Sequence, residues 1–231
     1  MKTLLQAAPA VAGDRSQFGE ARVISEILAR LEVKPGICVE FGAGDGLHLA
    51  NTAHLWHTDA WSAVLVECDR PLAEAAEANT TGTAATVLCD VVTPANVNAF
   101  VPKTAKVVSI DVDGEDIEIL EQMYATPFVL CVEHHPMIPA HVSHRGGADV
   151  GCSALALKEW GEDNSYTVVA MTHCNTIMVP EGAAYLFNDV DTDFLHLFDP
   201  SGVTFAISNV KTGDYTMHGP WGFGRGVSLD D

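Results

Sequence analysis

The chain has 231 residues, of which 48% are hydrophobic and 19% charged, enough apolar material for one large core and too much for a disordered chain. Its 12 lysines and arginines against 31 aspartates and glutamates give a formal net charge of -19, so a nucleic-acid backbone or an anionic membrane would be repelled. This charge favours a neutral or cationic small molecule as the partner.

The first part of the chain alternates between helical and strand-like patterns. Val23, Ile24, Ile27 and Leu28 have helical spacing within residues 14–32. Five short apolar runs follow, at residues 37–41, 61–66, 85–89, 106–110 and 128–132. Helical stretches separate them, at residues 47–57, 71–79, 94–100 and 115–123. This alternation predicts a parallel sheet with helices on both of its faces.

The pattern changes after the fifth predicted strand. Residues 134–150 are rich in His, Pro and Gly and predict a loop at the active edge, and residues 153–160 predict a helix. Two further strand-like runs, 166–171 and 176–179, are separated by only four residues. Such a short connection allows a hairpin but no crossover helix, so this pair should be antiparallel. We predict a Rossmann-like, doubly wound, mostly parallel seven-stranded sheet with an antiparallel last strand.

Three segments make up the predicted domain organisation. They are an N-terminal helical segment (1–35), the Rossmann-like domain (36–180) and a C-terminal extension without an assigned role (181–231). No apolar run approaches the roughly 20 residues that span a bilayer, and the N-terminus does not match a signal peptide, so we expect a cytoplasmic protein. The cysteines form no CxxC pair, and Cys38, Cys68, Cys89 and Cys131 lie in or beside apolar runs, which predicts buried, reduced thiols.

Acidic residues mark the end of every one of the five predicted parallel strands. They are Glu40, Glu67, Asp90, Asp111 and Glu133. In an open α/β sheet the ligand lies beyond the carboxyl ends of the strands, where the strand order reverses. One such acid is a common turn former, but five together predict a polar ligand site at this edge.

A glycine-rich turn follows the first predicted strand. It consists of Gly42, Ala43, Gly44, Asp45 and Gly46, and such a turn lets the backbone approach a ligand closely. A dinucleotide fingerprint requires G-x-G-x-x-G, and Leu47 stands where its third glycine would be, which counts against an NAD-linked enzyme. The acid Glu40 just before the turn suits a cationic ligand group. Glu67 is placed to accept ribose hydroxyls, which NAD and S-adenosylmethionine (SAM) both carry.

Six sequence stretches are the basis of a family resemblance. They are residues 16–20 (SQFGE), 40–46 (EFGAGDG), 49–52 (LANT), 65–67 (LVE), 109–114 (SIDVDG) and 151–153 (GCS), the last followed by a strand with a Tyr-x-Val-Val pattern. Together they resemble class I SAM-dependent methyltransferases of the FkbM-like group, over roughly residues 14 to 180.

The resemblance implies SAM as the cofactor and a role for each motif. Glu40 and the turn Gly42, Ala43, Gly44, Asp45 and Gly46 would hold the methionine portion of SAM, with Asn51 in the adjoining motif. Glu67 would take the ribose hydroxyls, and Asp90 would face the adenine amino group. Members of the group often methylate hydroxyls on sugars or natural-product scaffolds, which would be small-molecule substrates.

A second constellation consists of Asp111, Asp113 and Glu133, followed by His134 and His135. Adjacent strands would bring these carboxylates into one cleft, where hard oxygen ligands suit Mg²⁺, Mn²⁺ or Ca²⁺. A hydroxyl bound to such a cation loses its proton more readily, and His134 or His135 could accept it. The alternative is that Asp111 contacts the methionine end of SAM or orders the turn at Gly114.

The leading hypothesis is a SAM-dependent O-methyltransferase that acts on a hydroxyl of a small polar molecule, with Asp111, His134 and His135 as catalytic candidates. Two alternatives stay open: a SAM-binding partner or sensor without catalysis, and a metal-dependent hydrolase that uses the Asp/Glu/His cluster. We expect no nucleic-acid or membrane partner, and homo-oligomerisation is left open.

Overall fold

The computed structural model describes residues 1–58, 60–146, 150–203, 205–208, 211 and 215–218. Seven strands form the main sheet: β1 (Ile37–Phe41), β2 (Ser62–Glu67), β3 (Ala85–Cys89), β4 (Ala105–Ile110), β5 (Val129–Glu133), β6 (Tyr166–Met171) and β7 (Asn175–Pro180). Their order is β3-β2-β1-β4-β5-β7-β6. A separate antiparallel pair consists of β8 (Phe205–Ser208) and β9 (Tyr215–His218).

Strand directions in the main sheet follow from the lengths of the connections. The pairs β1–β2, β1–β4, β2–β3 and β4–β5 are parallel, as expected for strands joined by helical crossovers. β7 is antiparallel to both β5 and β6, because only residues 172–174 separate it from β6. The predicted fold class is therefore confirmed, including the antiparallel strand.

Eight α-helices accompany the sheets: α1 (Leu4–Ala7), α2 (Glu20–Arg30), α3 (Ala53–Thr58), α4 (Arg70–Asn79), α5 (Val97–Phe100), α6 (Asp116–Gln122), α7 (Ala154–Asp163) and α8 (Phe194–Leu197), among the residues that the structure describes. Side chains cap the first turns of α4 and α7: the Asp69 side chain accepts the N–H of Leu72, and the Ser153 side chain accepts the N–H of Ala156. Residues 181–187 and 200–202 form 3₁₀ helices. None of the described helices is long and apolar enough to cross a membrane.

One predicted helix is markedly shorter than expected. The helix predicted over 47–57 begins only at Ala53. Backbone N–H groups before it donate hydrogen bonds to acidic side chains instead of entering a helix. Asp45 accepts the N–H groups of Leu47 and His48, and Glu40 accepts those of Asn51 and Thr52. Residues 42–52 are therefore a loop, which forms one wall of the candidate site.

The two faces of the sheet bury separate apolar cores. One face packs against α6 and α7 and includes Val39, Phe41, Val108, Ile110, Leu130 and Val132. The other packs against α2 and includes Cys38, Val107, Cys131 and Ile177. Side chains alternate between faces along a strand, so Glu40, Ser109 and Glu133 lie on the α2 face at the carboxyl edge.

The segments outside the predicted central domain also contact it. Leu4, Phe187 and Val190 are buried in the core on the α2 face. Thr3 and Asp191 form a parallel bridge, and the guanidinium of Arg30 in α2 donates to the Asp189 carboxylate and the Leu186 carbonyl.

The cysteine prediction was half right. All six are free thiols, and Cys38, Cys131, Cys152 and Cys174 are buried. Cys68 and Cys89 are exposed, so the prediction of burial was wrong for these two. The physical reason is position: Cys68 lies just beyond the end of β2, and Cys89 ends the edge strand β3.

Candidate functional site

Two adjoining cavities form the candidate site. The larger of the two lies at the carboxyl edge of the sheet, where the strand order reverses. The chain runs outward from β1 to β2 and β3 and then returns to β4 on the other side of β1. This is the switch point at which open α/β sheets bind ligands. The cavity has a volume of about 620 Å³. Small-molecule sites range over roughly 300–1,000 Å³, so it is large enough for a nucleoside-sized ligand.

Two glycines shape the loop that forms the cavity wall after β1. Gly42 has φ +68°, and a Cβ placed on it would lie 1.7 Å from the Asp111 carbonyl oxygen, so only glycine fits. Gly44 has φ +54°, but a Cβ there would meet nothing within 4 Å. The first glycine therefore brings the loop against the end of β4, and the second faces open space in the cavity wall.

Glu40 is buried behind this loop and holds its far end. Its Oε1 accepts the N–H of Asn51 at 2.7 Å, and its Oε2 accepts the N–H and the hydroxyl of Thr52. Burial raises the pKa of Glu40, while these hydrogen bonds oppose the rise. Glu40 also contributes to the cavity lining, so it can act both on the loop and on a ligand.

Glu67, at the end of β2, connects the glycine loop to the start of α4. Its Oε2 accepts the N–H of Gly44 at 2.8 Å, and its Oε1 accepts the N–H of Asp69 at 2.7 Å. The side chain lines the cavity and is nearly buried. A carboxylate in this position can accept further hydrogen bonds from ligand hydroxyls, since each oxygen has two lone pairs.

Exposed apolar side chains form the other walls of the larger cavity. Leu49, Leu72 and Val91 all line it and are 44%, 43% and 58% exposed. Asp90 lies beside Val91, and its carboxylate accepts the Val91 N–H at 2.8 Å. Large apolar side chains that face solvent within a cavity suit the faces of a planar ring.

The charge of this lining is entirely of one sign. Seven carboxylates contribute to it: Glu40, Glu67, Asp69, Asp90, Asp111, Asp113 and Glu115. Among the described lining residues there is no lysine and no arginine, and His48 is the only histidine. The cavity therefore favours a cationic ligand and disfavours a pyrophosphate.

A smaller cavity adjoins the larger one at Asp113, which lines both. It has a volume of about 210 Å³ and includes Asp116, Glu133 and His135 with the apolar Pro136 and Val150. The two cavities thus meet where β4 and β5 end. A molecule in one could contact a molecule in the other at this junction.

Three carboxylates cluster at the junction, as the sequence predicted. Oxygen atoms of Asp111, Asp113 and Glu133 all lie within 4.8 Å of one another. Burial, followed by the charge of Asp116, raises the pKa of Asp111, and burial followed by the charge of Asp111 raises the pKa of Glu133. Asp116 supports the turn, since its carboxylate accepts the N–H groups of Val112 and Gly114.

The two histidines predicted to accept a proton lie in different surroundings. His134 is only 1% exposed, and burial lowers its pKa to about 3. Its Nδ1 lies 3.0 Å from the Thr176 hydroxyl, and it lines neither cavity. We predicted a catalytic role for His134, whereas the structure places it in the core, outside the lining of both cavities.

His135 does line the smaller cavity, and its Nδ1 accepts the N–H of Met137 at 3.2 Å. Its neutral form consequently carries the hydrogen on Nε2. Burial lowers the pKa of His135, which favours this neutral form. His135 is thus suited to donating a hydrogen bond.

Three more predicted residues lie outside both cavities. Asp45 caps the turn after the glycines, and Gly46 packs against Leu65 and Ala76. Asn51 is buried, and its Nδ2 donates to the Ser109 hydroxyl at 3.0 Å. We predicted that these residues contact the cofactor, whereas none of the three lines the larger cavity.

Three residues at this edge, Gln17, Glu20 and Asp199, were not predicted as site residues. Gln17 lines the larger cavity, and the buried Glu20 accepts hydrogen bonds from the Phe18 N–H and the Asn175 side chain. His173 Nδ1 lies 3.0 Å from Asp199 Oδ2, which joins the β6–β7 turn to the C-terminal segment. The motif at residues 16–20 was a signal for Gln17 and Glu20, but no local pattern pointed to Asp199.

Comparisons with known proteins add solved structures of similar fold. No protein-family model matches the chain, and no curated protein matches it. The mitomycin 7-O-methyltransferase MmcR matches with 14% identity and a TM-score of 0.44, over 69% of this chain and 56% of that one. The O-methyltransferase NcsB1 from neocarzinostatin biosynthesis, solved with SAM and a naphthoic acid, matches with 19% identity and a TM-score of 0.43, over 63% and 49%.

A SAM-dependent methyltransferase from Clostridium acetobutylicum matches with 6% identity and a TM-score of 0.47, over 68% of this chain and 89% of that one. The chain thus spans about half the length of MmcR and NcsB1. Because fold does not imply function at such distances, we argue the function from the residues of the site.

Proposed function

We propose that the protein is a SAM-dependent methyltransferase that methylates a hydroxyl of a small polar molecule. The observation that carries this proposal is the larger cavity, whose described lining residues include seven carboxylates and neither lysine nor arginine. SAM bears a sulfonium and an ammonium against one carboxylate, so it is a nucleoside with a net positive charge. A cavity of this size, sign and position in the sheet suits such a cofactor.

The residues that line the cavity fit the parts of SAM. Glu67 would accept the ribose hydroxyls, because its carboxylate lies at the end of β2 beside the loop. Leu72 and Val91 would pack on the adenine ring, with Asp90 near its amino group. Glu40 and the open backbone at Gly44 would receive the methionine portion.

The same lining argues against NAD. The pyrophosphate of NAD requires uncrowded amides at a helix start and no nearby anions. Here the side chain of Asp45 accepts the first N–H groups after the glycine loop, and the described lining residues include no lysine and no arginine. The glycine spacing and the charge of the cavity lining thus both count against NAD as the ligand.

The smaller cavity is the proposed site of the methyl acceptor. It meets the larger cavity at Asp113 and is lined by Glu133 and His135. When bound, SAM supplies a methyl group on a sulfonium that an aligned hydroxyl can displace in line. His135 would donate a hydrogen bond to the acceptor, and one of the two carboxylates, that of Asp113 or that of Glu133, would accept the hydroxyl proton.

Calorimetric titration of the purified protein with S-adenosylhomocysteine (SAH), SAM and NAD tests the cofactor. We expect micromolar binding of SAH and SAM and no detectable binding of NAD. A folded protein that binds neither SAH nor SAM would overturn the proposal. SAM binding without transfer of labelled methyl groups to a panel of sugars and phenols would favour a sensor instead.

A further inference from the structure

A row of polar side chains crosses three neighbouring strands at the junction of the two cavities. Glu133 and Asn175 are directly paired between β5 and β7. Directly paired residues project from the same face of a sheet, with Cβ atoms about 4.5–5.5 Å apart. Ser109 and Cys131 are paired between β4 and β5, so Asp111 and Glu133, two residues further along, lie side by side.

The carboxylates of this row lack a basic partner. Among the described residues, no ion pair joins a lysine, arginine or histidine to Asp111, Asp113 or Glu133. Their oxygens lie within 4.8 Å of one another. Oxygen ligands of Mg²⁺ or Ca²⁺ lie about 2.0–2.6 Å from the ion, so two of them can be up to about 5 Å apart. The cluster therefore has the spacing of a shared cation.

Asn175 provides an independent observation. Its side chain is 2% exposed, and its Oδ1 has no hydrogen-bond partner. The orientation of the amide is fixed, because Nδ2 donates to Glu20 Oε1 at 3.2 Å and contacts the Cys174 sulfur at 3.4 Å. A flipped amide would set two acceptor oxygens against each other. Oδ1 is thus an unpartnered oxygen on the residue that is paired with Glu133 across β5 and β7.

A buried carbonyl oxygen without a partner costs about 1–3 kcal/mol, so such an oxygen calls for an explanation. A cation bound by the adjacent carboxylates would give Oδ1 its partner. Carboxylate and amide oxygens together are the ligands that hard divalent ions prefer.

We propose that Asp111, Asp113, Glu133 and the Oδ1 atom of Asn175 bind one divalent cation of the Mg²⁺, Mn²⁺ or Ca²⁺ class. This site stands on its own contacts, and only its role in catalysis rests on the proposed methyl transfer. The ion would lie where the two cavities meet, beside the acceptor. There it would make the acceptor hydroxyl more acidic, so that a neighbouring carboxylate or water can take the proton.

Titration of the metal-free protein with Mn²⁺, followed by the loss of the free-ion EPR signal, tests this site without SAM. We expect one Mn²⁺ per chain, and Mg²⁺ should compete for it. Asp113→Asn is the first variant, since Asp113 is exposed with φ +60° and asparagine tolerates that backbone. It should weaken Mn²⁺ binding by at least about tenfold.

Asn175→Ala tests the fourth ligand, and Asn175→Asp keeps an oxygen there. We expect the alanine variant to lose at least about tenfold in affinity and the aspartate variant to retain binding. Glu74→Gln is the control, because Glu74 lies on the exposed side of α4, outside both cavities and outside the cluster. Its Mn²⁺ affinity should be unchanged, and circular dichroism checks that each variant is folded.

No Mn²⁺ binding by the wild-type protein up to millimolar ion would overturn the inference. So would unchanged affinity in folded Asp113→Asn. Unchanged affinity in folded Asn175→Ala would remove Asn175 from the ligand set. A parallel SAH titration without metal separates failure of the cation site from failure of the cofactor proposal, because each binding is measured alone.

Discussion

The carboxylate of Glu67 accepts the backbone N–H of Gly44 at 2.8 Å, which fixes the end of β2 to the loop after β1. Two motifs that are far apart in the sequence therefore form one wall of the larger cavity. The glycine loop is held from its ligand-facing side by Glu67 and from behind by Glu40. A substitution of either acid should therefore change the affinity for a ligand bound in the larger cavity.

Glu67→Gln should weaken SAH binding by about 10–100-fold, the equivalent of the roughly 1.5–3 kcal/mol that hydrogen bonds to a charged group contribute. The glutamine retains the shape of the side chain but loses its charge. Calorimetric titration measures the change. Glu74→Gln, on the exposed side of α4 and outside both cavities, is the control and should bind SAH as the wild type does. Equal affinity in the two variants would remove Glu67 from the ribose site.

Gly42→Ala should destabilise the fold far more than Gly44→Ala. Both glycines have positive φ, which costs an alanine about 1–2 kcal/mol. Only at position 42 does the new Cβ also meet the Asp111 carbonyl oxygen, which adds about 1–3 kcal/mol of overpacking. Urea unfolding midpoints of the two variants give the comparison. Equal midpoints would show that the approach of the loop to β4 is not as close as described.

The free energy of unfolding should decrease as the pH falls from 7 to 5, because His54 is protonated more readily in the unfolded chain than in the folded one. His54 is buried in α3, and burial lowers its pKa to about 4, against about 6.5 for an unperturbed histidine. Between these values the unfolded chain binds more protons than the folded one, so unfolding becomes easier as pH decreases. From pH 7 to pH 5 the loss due to His54 should be about 2 kcal/mol.

His54→Gln isolates this contribution, because every other titrating group is unchanged. Urea denaturation measures the difference in free energy of unfolding between wild type and variant. This difference should change by about 2 kcal/mol between pH 7 and pH 5. Parallel pH profiles for the two proteins would contradict the assignment.

SAH should protect Cys68 from thiol reagents but leave Cys89 reactive. Both thiols are exposed, and only Cys68 lines the larger cavity. The other four are buried and should react only on unfolding. The rate of reaction with Ellman's reagent is measured with and without SAH in Cys89→Ser and Cys68→Ser, at pH 8 because burial raises the pKa of Cys68. Protection of neither thiol, at saturating SAH, would place the ligand elsewhere.

The sequence was sufficient to predict the fold and the edge of the sheet at which the larger cavity lies. Strand-like runs separated by helical stretches indicate a parallel sheet, and the four-residue gap before the last strand indicates an antiparallel pair. Acids at the strand ends, Glu40, Glu67, Asp90, Asp111 and Glu133, necessarily meet at one edge once the strands are parallel. These are local patterns, and they are read without knowing any long-range contact.

The tertiary structure decided which of the predicted residues line a cavity. His134 and His135 are neighbours in the sequence, yet one is packed in the core and the other lines a cavity, because adjacent residues at a strand end project to opposite sides. Asp45 accepts hydrogen bonds from amides of the loop, and Asn51 donates to Ser109 in β4, so neither side chain lines the larger cavity. Asn175 lies beside Glu133 only through the β5–β7 pairing, and Asp199 reaches His173 only because the C-terminal segment folds back. Burial and long-range pairing depend on the packing of the whole chain, which no short stretch of sequence specifies.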